Sequence, residues 1–146
     1  MWGAPIEINS QKLEIATQDD NIVMVFQEDA VASGENFTLS GDCLKIISSS
    51  CKDFKQVSNG STIKEICATE NPSFQYNQFS GTSDRIIILP QQEMVILEGN
   101  ASITDLEHGT VKGERLVLDA IQQTISNTSD FTYRSHFKID IPNLPQ

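Results

Sequence analysis

The side chains best suited to chemistry in this 146-residue chain are two histidines and an acidic cluster beside one of them. A hydrolase needs a nucleophile and a base held together, but neither His108 nor His136 lies in a nucleophile motif. Asp105, Glu107 and His108 are all metal-ligand types, yet they occupy a polar loop that ends in glycine. We interpret this cluster as a solvated turn, and we predict a protein that is not an enzyme and uses no cofactor or metal.

The three cysteines, Cys43, Cys51 and Cys67, also offer reactive groups. They lack the close pairing of a zinc site, and an odd number cannot all pair within one chain, so at most one disulfide is possible. We expect them to be small, partly buried strand residues instead of redox or nucleophilic groups.

Length and charge limit the classes of protein to which the chain can belong. Its 146 residues suit a single domain, 1–146, with one core. A formal charge of −10 disfavours nucleic acid and anionic membrane surfaces as partners. No apolar run approaches the roughly 20 residues that a membrane-spanning helix needs. Residues 1–5 do not resemble a secretory signal, so we expect that such a signal is absent or has been removed.

Apolar residues alternate with polar ones along much of the chain, which is the spacing of β-strands. The clearest alternation lies in 131–141, and similar patterns occur in 6–15 and 37–46. Turn-forming residues separate such runs at 18–21, 33–36, 58–61, 90–92, 105–109 and 127–130. This spacing predicts an all-β sandwich, barrel or roll without helical crossovers.

An internal repeat organises these strands. In each copy an apolar residue is followed by a small residue and then by two further markers. The copies are Ile8-x-Ser10-x-x-Leu13-x-Ile15, Leu39-x-Gly41-x-x-Leu44-x-Ile46, Phe79-x-Gly81-x-x-Asp84-x-Ile86 and Val111-x-Gly113-x-x-Leu116-x-Leu118. The step of three after the small residue changes side-chain parity, so Leu39 and Leu44 share a face only if the strand bulges or bends.

A second element lies between the copies and is predicted to form recurring turns or bulges. It comprises Glu28-Asp29-Ala30, Glu70-Asn71-Pro72 and Glu98-Gly99-Asn100-Ala101. The segment VMVFQEDAVAS in the first half of the chain also corresponds to MVILEGNASI in the second. We therefore predict two repeat-like halves that together enclose an apolar interior, because each half alone is too small to fold.

These ordered motifs resemble the OstA-like (LptA) family of lipopolysaccharide-transport proteins. The resemblance is carried by Pro5-Ile6-Glu7-Ile8 with Leu13-Glu14-Ile15, by the segment from Met94 to Ile103, and by Gly113-Glu114-Arg115-Leu116-Val117-Leu118-Asp119. It covers about 5–46 and 63–121. Related domains from the partners LptC and LptD remain alternatives within this resemblance.

The resemblance implies a twisted antiparallel β-jellyroll, open at both ends, whose apolar interior binds the acyl chains of lipopolysaccharide. The candidate lining residues are Ile6, Ile8, Phe37, Leu39, Leu44, Ile46, Phe74, Tyr76, Ile86, Ile88, Val95, Leu97 and Leu116. It also implies a periplasmic protein that bridges LptC-like and LptD-like components. Units would join edge to edge through strands near 6–15 and 131–141.

Two other functions also fit the residues. Sequons at Asn36, Asn59, Asn100 and Asn127 are compatible with an extracellular adhesive or carbohydrate-binding β-sandwich. A structural assembly domain that pairs by its edges and binds no lipid is the other alternative. An elongated apolar groove favours transport, whereas an outer aromatic patch with polar neighbours favours sugar binding.

Overall fold

The computed structural model of the chain describes residues 6–18, 20–49, 63–127 and 136–138, and these form twelve strands of one antiparallel sheet. The strands are β1 (Glu7–Asn9), β2 (Lys12–Gln18), β3 (Asn21–Gly34), β4 (Phe37–Ser49), β5 (Ile63–Thr69), β6 (Ser73–Tyr76), β7 (Phe79–Thr82), β8 (Arg85–Leu89), β9 (Met94–Asp105), β10 (Gly109–Asp119), β11 (Thr124–Asn127) and β12 (His136–Lys138). None of these residues is helical, so the described part has no helix that could span a membrane. The prediction of an all-β fold is confirmed.

The antiparallel sheet contains two pairs of adjacent long strands, and short strands flank each pair. The long strands are β3, β4, β9 and β10, and each pairs with two short strands that follow one another along its length. Thus β1 and β2 lie along β3, while β11 and β12 lie along β10. In the middle, β6 and β5 lie along β4, and β7 and β8 lie along β9.

At one level, which we call the bend line, the short strands are interrupted, β3 and β9 are bulged, and β4 and β10 lie opposite those bulges. The registers shift between Gln27 and Ala30 in β3 and between Gly113 and Arg115 in β10. Three positions have two consecutive residues with left-handed backbone, a conformation that suits a sharp change of direction. They are Glu28 and Asp29 (φ 66° and 55°), Glu70 and Asn71 (62° and 60°), and Gly99 and Asn100 (82° and 48°). The predicted recurring bulges are confirmed.

The bend line divides the sheet into two half-sheets that enclose one core. Half-sheet I contains β2, β5, β8 and β11 with residues 21–27, 43–49, 94–98 and 115–119 of the long strands. Half-sheet II contains β1, β6, β7 and β12 with residues 30–34, 37–41, 101–105 and 109–113. One apolar cluster includes inward side chains from both half-sheets. The sheet therefore folds over along the bend line, as the predicted jellyroll requires.

Strand register confirms three of the four repeat copies and corrects the third by two residues. The register row through Leu44 continues through Ile86, so the corrected third copy is Gly81-x-Ser83-x-x-Ile86-x-Ile88. Asp84 is exposed in the break between β7 and β8, where its N–H donates to the carbonyl oxygen of Gly99 at 2.8 Å. Our prediction took Gly81 as the small marker of this copy, whereas the register places Gly81 in the row of Leu39, which is the position of the first marker.

Most predicted turns lie where the structure has them. Asp20 lies in a turn directly before β3, and short connections follow β3, β8 and β9 at 35–36, 90–93 and 106–108. The turns at 77–78 and 120–123 were not predicted. Some predictions lie outside the described residues. They are the turn at 58–61, most of the turn at 127–130 and most of the strand 131–141.

Candidate functional site

The inner face of half-sheet I is lined by two apolar rows that cross every strand. Residues directly paired in antiparallel strands have side chains on the same face. The first row contains Leu13, Phe26, Leu44, Ala68, Ile86, Leu97, Leu116 and Asn127. The second contains Ile15, Met24, Ile46, Ile66, Ile88, Val95, Leu118 and Ile125. Apart from Asn127 at one end, both rows are apolar.

Half-sheet II presents a matching inner face. One row contains Ile8, Ala32, Leu39, Phe74, Gly81, Ile103 and Val111. Aromatic residues Phe37, Tyr76 and Phe79 form the row beside it. Together the two half-sheets form a continuous apolar interior that runs across the strands from one sheet edge towards the other.

All thirteen candidate lining residues lie on this inner surface. Every one except Ile8 is at most 9% exposed, and Ile8 packs partly buried against the core. The structure therefore brings the candidates together as one surface. Their contact with lipid remains a prediction.

Several inner residues were missed although the sequence held a signal for them. Aligning VMVFQEDAVAS with MVILEGNASI matches Met24 with Val95 and Phe26 with Leu97, and Val95 and Leu97 are candidate lining residues. Both missed residues are buried. Leu118 likewise takes the place of Ile46 in the fourth repeat copy and is fully buried. The internal repeat therefore contained the signal for these residues.

The two ends of the interior differ. At the β2 end, Leu13 and Ile15 occupy the inner rows yet are each 49% exposed. Within the described residues β2 pairs only with β3, so no strand covers its outer edge. At the β11 end the inner rows finish at Ile125, which is partly buried, and at Asn127. In the described part of the chain, β1 and β2 pair only with β3, and β11 and β12 pair only with β10. The predicted edge at 131–141 lies mostly outside the described residues.

Comparison with known proteins identifies the family. A family model described as "LptA/(LptD N-terminal domain) LPS transport protein" matches residues 6–124. The chain belongs to this family. A search of curated proteins gave no match.

The family fold is also found in a solved structure, that of LptH from Pseudomonas aeruginosa. That protein is described as the LptA-homologous periplasmic component of the lipopolysaccharide-transport device. The match has a TM-score of 0.74 at 17% identity and covers 96% of this chain and 98% of LptH. The predicted OstA-like jellyroll is confirmed, and membership of a lipopolysaccharide-transport family favours transport over the adhesive sandwich.

The described ion pairs of this lipopolysaccharide-transport family member lie outside the apolar interior. Beside the bend line, Glu98 contacts two guanidinium groups, Arg115 Nε at 3.4 Å and Arg85 Nη1 at 3.9 Å. Lys12 Nζ lies 3.2 Å from Glu28 Oε1. The surface is therefore ionic where the strands bend, whereas the buried core cluster is apolar.

The cysteines lie where small strand residues were expected. Cys67 is buried and Cys43 is partly buried, and both are free thiols. Arg85 Nε donates a 3.3 Å hydrogen bond to Cys67 Sγ, and this bond is the main reason that the pKa of Arg85 is raised. Cys51 lies outside the described residues.

The acidic cluster with His108 is a hairpin turn between β9 and β10. Asp105 Oδ1 accepts a 2.9 Å hydrogen bond from the N–H of Glu107, and Asp105 Oδ2 lies 2.8 Å from Nδ1 of His108. Both carboxylate oxygens are thus used within the turn. Glu107 and His108 are exposed, which agrees with our interpretation as a solvated turn.

Proposed function

We propose that the interior between the two half-sheets holds the acyl chains of lipopolysaccharide during transport. The observation that carries this proposal is the pair of apolar rows that run unbroken from the buried core to the exposed Leu13 and Ile15. A purely structural core has no need of inner-face side chains left open at a sheet edge. The thirteen candidate residues are the proposed lining.

Binding is driven by burial of methylene groups, each contributing about 0.8 kcal/mol. The interior side chains already pack against one another, so acyl chains have to separate the half-sheets to enter. The strand pairings among the described residues join the half-sheets only across the bend line. If the half-sheets move apart on the side away from the bend line, side-chain contacts are lost but no hydrogen bonds between strands are broken. The protein acts by holding and passing lipid, without covalent chemistry.

The free edges supply the second part of the proposal. An uncovered strand presents unpaired backbone donors and acceptors, which a neighbouring strand can satisfy. We propose that β1 and β2 of one unit pair with the strand at the β11 and β12 edge of another unit, or with an LptC-like or LptD-like component. The apolar interior then continues across the joint. Such a bridge belongs in the periplasm.

Site-specific photo-crosslinking tests acyl-chain binding. A photoreactive amino acid replaces Phe74 or Ile88 on the inner face, and Lys45 or Ile87 on the outer face of half-sheet I serves as the matched control. We expect radiolabelled lipopolysaccharide to label the inner positions and to leave the outer positions unlabelled. Equal labelling of both faces, or no inner adduct in a folded protein, would rule the proposal out and favour the lipid-free assembly domain.

A further inference from the structure

The outer face of half-sheet II carries a group of hydroxyl and amide side chains on four adjacent strands. Strand register places them in two rows on β4, β6, β7 and β9. The rows are Thr38, Gln75, Ser80, Thr104 and Ser40, Ser73, Thr82, Ser102. We call this surface the hydroxyl face.

The hydroxyl face forms a depression of about 380 Å³, which also contacts Phe74 and Gly81. That volume lies within the range of roughly 300 to 1,000 Å³ found for small-molecule sites. None of the lining residues is charged, although the chain has 20 acidic and 10 basic residues. An uncharged depression on so acidic a protein disfavours an ionic ligand and favours a neutral one.

Many of the polar groups in this depression are available to a ligand. Ser40 Oγ and Ser73 Oγ bond to each other at 2.9 Å, and Thr104 bonds to Thr110 on β10 at 3.1 Å. Within the part of the chain that the structure describes, no protein hydrogen bond engages the remaining side chains of the face. These are Thr38, Gln75, Ser80, Thr82 and Ser102.

We propose that the hydroxyl face binds a neutral saccharide chain. A serine or threonine hydroxyl is both donor and acceptor and rotates to suit its partner, and sugar hydroxyls have the same property. An extended sugar chain lying across the strands can therefore pair with both rows. An apolar ligand would strip water from these groups without replacing its hydrogen bonds. This site lies on the opposite face of the sheet from the proposed acyl-chain interior and goes beyond that function.

The test follows backbone amide signals of the intact protein by NMR during titration with two neutral probes. One probe is a neutral O-polysaccharide fragment freed of lipid A, and the other is an oligomer of N-acetylglucosamine. We expect one of them to shift signals of the hydroxyl face and to leave those of half-sheet I unchanged. The probe that binds distinguishes a lipopolysaccharide sugar from a cell-wall glycan.

Substitutions then test the hydroxyl groups themselves. The double substitution Ser80→Ala with Ser102→Ala should weaken binding of the saccharide about tenfold, because each hydrogen bond makes a modest net contribution to the binding free energy. Ser126→Ala on β11, an exposed serine of half-sheet I, is the matched control and should leave affinity unchanged. The proposal is overturned if neither probe shifts these signals at millimolar concentration, or if the double variant binds as tightly as the control. Neither result bears on acyl-chain crosslinking.

Discussion

At the scale of single residues, Gly81 occupies an inner position where a side chain does not fit. Its register row holds Phe74 and Ile103 on the adjacent strands. A Cβ on Gly81 would overlap the ring of Phe74 and lie 2.8 Å from the backbone oxygen of Ser102 and 2.9 Å from Leu97 Cδ2. We predict that Gly81→Ala lowers the free energy of unfolding by about 1–3 kcal/mol, the usual cost of overpacking. Denaturant unfolding measures this change.

Two further variants make the prediction specific. Gly41→Ala should cost less, because its new Cβ would meet Thr69 O at 3.0 Å and no other atom closer than 3.6 Å. Adding Phe74→Leu to Gly81→Ala should recover part of the loss, since the ring is the nearest of the groups that the new Cβ would meet. A free energy unchanged by Gly81→Ala would contradict the close approach.

The pKa of His108 should show whether its contact with Asp105 is formed. The hydrogen bond with Asp105, and then the charge of that carboxylate, raise the pKa of His108 above its ordinary value of 6.5. A raised folded-state pKa stabilises the fold below the unfolded pKa, and this contribution disappears as pH rises through the folded pKa. We therefore expect the free energy of unfolding to fall slightly as the pH rises from below the unfolded-state pKa of His108 to above its folded-state pKa.

NMR titration of His108 checks the cause. The pKa should lie above 6.5 in the native protein and move back towards that value in Asp105→Asn. Glu107→Gln is the matched control and should change it less, because the charge of Glu107 is the weakest contributor. An unshifted pKa in the native protein would mean that the hairpin contact does not persist in solution.

At the scale of elements, the bend depends on residues that adopt an unfavourable backbone. Glu70 has φ 62° and precedes Asn71 with φ 60°. A non-glycine residue in this region pays a steric cost that glycine avoids, although glycine loses more entropy on folding. We predict that Glu70→Gly raises the free energy of unfolding by about 0.5–1 kcal/mol.

Thermal and denaturant unfolding test the bend against ordinary strand geometry. Glu65→Gly, within β5, is the matched control and should destabilise the protein, because glycine weakens a strand interior. Destabilisation by both substitutions alike would show that the left-handed bend at Glu70 is not retained in solution.

At the scale of the whole molecule, the exposed inner residues at the β2 edge should control association. Leu13→Gln with Ile15→Gln removes apolar surface from the proposed joint but affects side chains that are already 49% exposed. We expect an unchanged circular dichroism spectrum and weaker self-association in sedimentation velocity. Ile121→Gln, 65% exposed in the turn between β10 and β11, is the control and should leave association unchanged. Association that survives the double change would count against this edge as the joint.

Local sequence determined the strands, the bends and the family. Alternation of apolar and polar residues depends only on neighbouring positions, and it predicted the antiparallel strands. Small residues at a fixed offset, together with the triplets such as Glu28-Asp29-Ala30, predicted where the strands bend. These features are local because backbone conformation and side-chain parity are set within a few residues.

Only the tertiary structure decided which apolar residues of the inner rows are covered and which are left exposed. The run 23–26 is apolar at both parities, so its own pattern does not choose a face; its alignment with 94–97 points to Met24 and Phe26, which are buried while Val23 and Val25 are only partly so. Leu13 has the same repeat position as the fully buried Leu44, yet it remains half exposed. The pattern is equal at both sites, but burial depends on whether another strand lies alongside, and no described strand pairs with the outer edge of β2.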